Sequence, residues 1–310
     1  MSIEMSIQEI KPLDKLRSVL KTSFIKSMTI AMCCLTCIAC EPEMDYELTS
    51  VKKQLVVDGW IENNNYAQVV LTYNTGYFSN LDSASFRGLV ASRAKVILSD
   101  GTQSEILTLT KDTNYFPPYV YKGNEILGQP GKTYTLIIID EINTGTREMD
   151  TIVAITTIPQ PVKLDSVWFS ETSDSSGIIK GIIFDNPDEK NYYRTFSKIK
   201  GKDKRFIPTY IASFEDKYFN GQKFTFHLNK GLDSYIKPLY NIEFNKGDTI
   251  NLKIASIDRI SFLFWSSYDQ EIFNSGNPFA SNFDRVNSNI HGGLGIWCGY
   301  GATTYLVVAK

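Results

Sequence analysis

Histidine is almost absent: His227 and His291 are the only two in 310 residues. It is the side chain that most readily exchanges protons near neutral pH, so its scarcity argues against a histidine-dependent hydrolase. His227 lies on the polar side of an alternating segment and His291 stands beside a glycine-rich turn; both read as surface or hydrogen-bonded polar residues. Absent too are a Gly-x-Ser-x-Gly elbow, a His-Glu-x-x-His helix and any Cys/His spacing suited to zinc. From these patterns no catalytic residue, metal or cofactor is expected. Asp185, Asp188 and Glu189 around Pro187 offer the oxygen ligands that Ca²⁺ takes, but a proline-containing turn between strands explains them without an ion. Gly292-Gly293-Leu294-Gly295 lacks the Lys-Ser/Thr of a phosphate-binding loop and reads as a tight turn or bulge feeding a terminal strand. Carboxylate-pair chemistry of the glycosidase type stays open, because its two acids are usually distant in sequence.

Cysteine is nearly missing after residue 40. Of five cysteines, Cys33, Cys34, Cys37 and Cys40 fall within the first forty residues, which leaves Cys298 without an intramolecular partner and reads as a small buried hydrophobe. There is no membrane-spanning run either. The apolar stretch from Met28 to Ala39 falls short of the roughly 20 residues a spanning helix needs. It follows Lys11, Lys15, Arg17, Lys21 and Lys26 and ends at Ala39-Cys40, the order of an export signal. Residues 1–39 are therefore expected to be a lipoprotein signal peptide, and Cys40 the acylated first residue of the mature protein, anchored in the outer-membrane leaflet by its lipid chains. Cys37-Ile38 depart from the usual Leu-(Ala/Ser)-(Gly/Ala)-Cys pattern, and Met5 is an alternative start. Glu41, Glu43 and Asp45 behind the cysteine resemble the surface-export signals of Bacteroidota lipoproteins, so exposure at the cell surface is expected.

A basic field is lacking as well. The whole chain carries −2, and the leader removes more basic than acidic residues, so the mature part is more acidic still. Nucleic acid is excluded as a partner.

What is plentiful is aromatic: 13% of residues, with 17 Tyr and 18 Phe, types that favour pleated, half-buried surfaces. After a polar tether over 40–53, side chains alternate with the period of 2 that sends neighbours to opposite faces of a sheet. Lys95 to Ser99, the Asp100-Gly101 turn and Leu107 with Leu109 read as a hairpin; Gln68 to Tyr73, Tyr134 to Ile138 and Thr151 to Thr157 add strands. Residues 54–158 are thus expected to form an immunoglobulin- or transthyretin-like β-sandwich. Pro159-Gln160-Pro161 marks a linker, since two prolines in three residues interrupt helix and ladder alike. Residues 162–310 read as a second β-rich domain with one substantial helix at about 256–274, where Ile257, Ile260, Phe264, Tyr268 and Ile272 recur at helical spacing and Ser256 is placed as N-cap. The fold class is mainly β.

The aromatic stretch Tyr115-Phe116-Pro117-Pro118-Tyr119-Val120-Tyr121 lies between strands of the first half. Loops at sandwich ends often bind partners, and aromatic faces stack on sugars or pack at interfaces. Tyr115, Phe116, Tyr119 and Tyr121 are the candidate ligand-binding residues; a loop folded back over the core is the alternative.

Taken in order, Cys40, Leu55-Val56-Val57-Asp58-Gly59-Trp60-Ile61, Ala94 to Gly101, Pro130 to Leu136, Gly247-Asp248-Thr249-Ile250 and Ser288 to Trp297 carry a resemblance. Over almost all of residues 40 to 308 the chain resembles a family of Bacteroidota outer-membrane lipoproteins known as a domain of unknown function. Such proteins are commonly encoded beside TonB-dependent receptors, so the resemblance implies an accessory role in nutrient uptake with such a receptor as partner. It supplies no catalytic residues. The reading is a non-enzymatic surface lipoprotein that binds a receptor, a nutrient or both; the rivals are a glycan- or peptide-processing enzyme with an Asp/Glu pair, and an adhesin or envelope structural protein.

Overall fold

Fifteen of the last residues, Leu294–Val308, form one long strand that ties the two halves of the chain together. In the computed structural model, the described residues are 52–75, 88–140, 150–231, 242–274 and 286–310, with Lys21, Lys26, Asp82 and Phe86. The expected signal sequence apart from Lys21 and Lys26, Cys40, and the tether up to residue 51 lie outside them. Val51–Lys310 forms one unit.

Strands β1 (Leu55–Glu62) and β2 (Tyr66–Tyr73) open the chain as a hairpin, its turn held by Asn64 at φ 60°, a conformation asparagine tolerates better than most residues. The other strands, in chain order, are β3 (Lys95–Ser99), β4 (Ser104–Ile106), β5 (Thr108–Lys111), β6 (Tyr119–Leu127), β7 (Thr133–Asp140) and β8 (Asp150–Thr157) in the first half. After the prolines come β9 (Leu164–Glu171), β10 (Ser176–Phe184), β11 (Tyr192–Ile199), β12 (Ile207–Glu215), β13 (Lys223–Leu228), β14 (Phe244–Asn245), β15 (Thr249–Ile257) and β16 (Leu294–Val308). A helix, α1 (Arg259–Asn274), precedes the last strand.

Eight strands make a central sheet in the order β12-β11-β15-β16-β1-β2-β6-β5. The first half of β16 pairs parallel with β1, from Leu294 to Tyr300, and its second half pairs antiparallel with β15, from Gly301 to Val308. The sheet therefore runs without a break past the expected linker at 159–161. That linker lies against the middle of β16: a Cβ on Gly301 would meet the Pro159 carbonyl oxygen at 2.2 Å, and the Thr303 hydroxyl donates to the Val162 carbonyl at 2.8 Å.

Alternation along the central strands puts two different surfaces on its two faces. On one side Leu55, Val57 and Ile61 of β1 and Trp297 of β16 meet β4-β3-β7-β8 in a core with Leu98, Tyr134, Leu136, Ile138 and Ile152. Beside it, Tyr193, Ile250, Leu252 and Ile254 meet the sheet of β9, β10, β13 and β14 through Ile179, Phe226 and Phe244. The structure is thus mainly β, with sandwich packing in both halves. On the other face a third cluster, with Phe196, Ile296, Cys298 and Tyr300, packs under α1 through Phe264 and Trp265.

Two local expectations are corrected. The segment Ser104 to Lys111 is not one strand folding back on β3. The chain breaks at buried Leu107, whose amide donates to the Val96 carbonyl at 2.8 Å; β4 stays with β3, while β5 crosses to the central sheet and pairs with β6. Leu107 thus plugs the gap between two sheets, an arrangement local alternation cannot reveal. The helix starts later than its apolar spacing suggests. Ser256 lies within β15, paired with Gly301, and Asp258 is the cap: its Oδ1 accepts from the Ser261 amide at 2.7 Å and its carbonyl from the Phe262 amide at 3.0 Å. Sheet pairing holds Ser256 extended, which leaves the next polar side chain to take the free amides.

Candidate functional site

The face of the central sheet turned toward α1 is not wholly apolar. In β1 the side chains opposite the core are Asp58, Trp60 and Glu62; in β11 they are Arg194, Phe196 and Lys198. Pairing sets them side by side, because directly opposed residues in a sheet project to the same face. Trp60 opposes Gln68 in β2, Gln68 opposes Lys122 in β6, and Phe196 opposes Lys253 in β15. With Tyr300 of β16, Trp265 of α1, Tyr115 and Asp112 from the β5–β6 loop and Arg205 and Phe206 before β12, they line an open cavity of about 420 Å³. Small-molecule sites run from roughly 300 to 1,000 Å³.

Its charges are arranged rather than scattered. Lys253 and Glu62 form an ion pair at 2.7 Å, with the Lys253 ammonium 4.5 Å from the ring centre of Phe206. Lys122 and Asp112 pair at 2.7 Å. Arg194, 2% exposed, donates through Nη1 to Ser213 Oγ at 2.6 Å and Asp269 Oδ2 at 3.3 Å, and its guanidinium lies 4.0 Å from the ring centre of Trp265. Its Nε is buried without a hydrogen-bond partner, as is Nε1 of Trp265. Burial raises the pKa of Asp269, and Arg194 opposes the rise.

Asp58 lines the cavity and is exposed to solvent. The surrounding protein raises its pKa above the usual carboxylate value, against the pull of Arg194 and then Arg205, a rise that its exposure limits. Burial also lifts the hydroxyls of Tyr300 and Tyr115 above the ordinary tyrosine value, so both are neutral hydrogen-bonding groups at physiological pH.

The family model described as "Domain of unknown function (DUF4249)" matches residues 41–305, which include every residue lining this cavity. The chain belongs to the DUF4249 family. No curated protein matches this DUF4249 chain. Among solved structures, the crystal structure of chicken CNTN1 FN1–FN3 domains is similar at 11% identity and a TM-score of 0.23, over 64% of the DUF4249 chain and 59% of its own length.

Of the four aromatic residues singled out in sequence, the DUF4249 fold brings only Tyr115 to the cavity, where its ring lies 5.7 Å from that of Trp60. Phe116 is 77% exposed and packs edge-on against Phe86 at 5.4 Å. Tyr119 starts β6, paired with Lys111. Tyr121 is corrected outright: it is buried in the first core, its hydroxyl donating to the Ala91 carbonyl at 2.7 Å, because β6 turns alternate residues inward. Asp185, the candidate ion ligand, is buried and accepts from the Tyr193 hydroxyl at 2.7 Å and the Gly221 amide at 3.1 Å. Among the described residues no cluster suited to a metal ion occurs. Sequence reasoning missed Arg194, Lys253, Trp60 and Trp265. The available signal was the polar or aromatic residues at positions 58, 60 and 62, alternating with Val57, Gly59 and Ile61; around Arg194, Phe196 and Lys198 the neighbours Thr195 and Ser197 are polar too, and nothing local says that these faces meet.

Proposed function

We propose that this protein is a lipid-anchored surface lipoprotein that binds a small polar molecule in the cavity beside its central sheet and passes it to a TonB-dependent receptor without transforming it. The observation that carries the reading is the cavity, with aromatic walls for packing and a few convergent charged groups for orientation, the composition small-molecule sites share. The anchor rests on the export-type leader ending at Ala39-Cys40. Binding without turnover is favoured because two of the three carboxylates in the wall, Glu62 and Asp112, are each held by a lysine at 2.7 Å, an arrangement suited to a structured rim rather than to paired acid–base work.

The test is recovery of a C-terminally tagged chain from solubilised outer membranes, with mass spectrometry of what accompanies it. Stoichiometric recovery of a TonB-dependent receptor is expected, and Cys40→Ala should move the protein to the soluble fraction. Recovery of a solitary protein overturns the receptor role, and membrane retention of Cys40→Ala overturns the anchor.

A further inference from the structure

We infer that the cavity selects an anion, a small molecule carrying a carboxylate or phosphate on a ring-shaped or planar body, with Arg194 as its charge anchor. The inference deepens the binding role proposed above and rests on it. Six cationic side chains line the cavity, Lys122, Arg194, Lys198, Lys204, Arg205 and Lys253, against three carboxylates, Asp58, Glu62 and Asp112. Counting Asp269 behind Arg194 as well, the wall keeps a positive excess, although the chain as a whole carries −2. A cleft of one sign with low-dielectric walls concentrates ions of the opposite sign.

Arg194 supplies the second, independent observation. It is almost fully buried and its Nε has no partner, although Nη1 is used twice. Buried donors are nearly always satisfied, so an unpartnered one on a side chain that lines a cavity points to an acceptor that the protein itself does not supply. Trp265, in the same lining, also has a buried Nε1 without a partner, and the guanidinium lies over that indole, which holds its planar fork in a fixed orientation. A fixed fork of donors is what recognises carboxylate and phosphate. For the rest of the ligand, Trp60 and Tyr115 stand with ring centres 5.7 Å apart and Phe206 lies across the cavity lining, surfaces on which a ring packs.

The experiment titrates the whole chain, purified in detergent, with phenyl phosphate, benzoate and neutral phenyl glucoside, reading the change in tryptophan fluorescence, to which Trp60 and Trp265 of the lining contribute two of the four indoles, together with the melting temperature. Saturable binding of phenyl phosphate or benzoate, but not of the glucoside, is expected, weakening as salt is raised; whichever anion binds identifies the group. Arg194→Gln should cost about tenfold or more in affinity. Should that variant fail to fold, Lys204→Glu replaces an exposed cation of the lining without touching the core, and it should weaken anion binding while leaving the melting temperature of the free protein unchanged. Glucoside binding that excludes both anions overturns the charge class and leaves the binding role intact. Equal binding of all three, or anion binding indifferent to both substitutions, overturns Arg194 as anchor. No saturable binding of any probe up to about 10 mM overturns the inference and the binding role together.

Discussion

Cys298 shows how burial sets chemistry at a single position. It lies in the third cluster, fully inaccessible, and burial pushes its thiol up to about 12. A thiol is a nucleophile only as thiolate, so at neutral pH this one is both unreachable and protonated. In a chain with Ser at positions 33, 34, 37 and 40, a thiol-specific reagent should leave the folded protein unmodified and label it fully in denaturant; rapid labelling of the native state would contradict the packing described. The sequence made Cys298 readable as a buried hydrophobe, since it sits in an apolar-aromatic strand with no second cysteine to join. Arg194 was not readable in the same way. In the stretch Tyr192 to Ile199 it is one polar residue among several, and its significance comes from Trp265 and Asp269, more than seventy positions later, closing over it.

Among the elements, β16 has the most exacting surroundings. At Gly295, φ is +104°, and a Cβ there would lie 1.9 Å from the Val57 carbonyl oxygen. Only glycine combines that conformation with so close an approach to the neighbouring strand. Gly295→Ala should therefore cost about 3 kcal/mol or more, through backbone strain and overpacking together, and the loss would be read as a lower denaturation midpoint. A midpoint within error of the parent's would argue that β1 and β16 do not run side by side. The glycine-rich stretch was legible as a turn feeding a terminal strand. Its partner was not, because a parallel pairing of the first and last strands leaves no mark in either segment.

For the whole molecule, the same strand decides what can fold alone. Residues 54–158 have the strand content of a sandwich domain, but their core is completed by Trp297 and Ile290 from the far end of the chain. Trp297 is fully buried, and its indole N–H donates to the Tyr134 carbonyl at 3.1 Å. Truncating one such side chain costs about 3 to 5 kcal/mol, a large share of the roughly 5 to 15 kcal/mol that stabilises a domain. The fragment 54–158 is accordingly expected to lack a cooperative thermal transition by circular dichroism. A sharp transition in the isolated fragment would mean that β16 is dispensable to the first core.

What the sequence by itself determined is local: which side chains share a face, where turns and prolines interrupt, and that one segment winds into a helix. Those follow from the periods of 2 and 3.6 and from the restricted backbone of proline, which act over a few residues. The tertiary structure alone decided that β5 leaves β4 at Leu107, that Asp258 caps the helix because Ser256 is held in a sheet, and that β16 spans both halves. It also made the cavity, whose walls come from residues as far apart as Asp58 and Tyr300. Pairing between distant strands depends on how all the apolar faces are buried at once, so the meeting of polar faces on the other side is a property of the assembled sheet and of no segment within it.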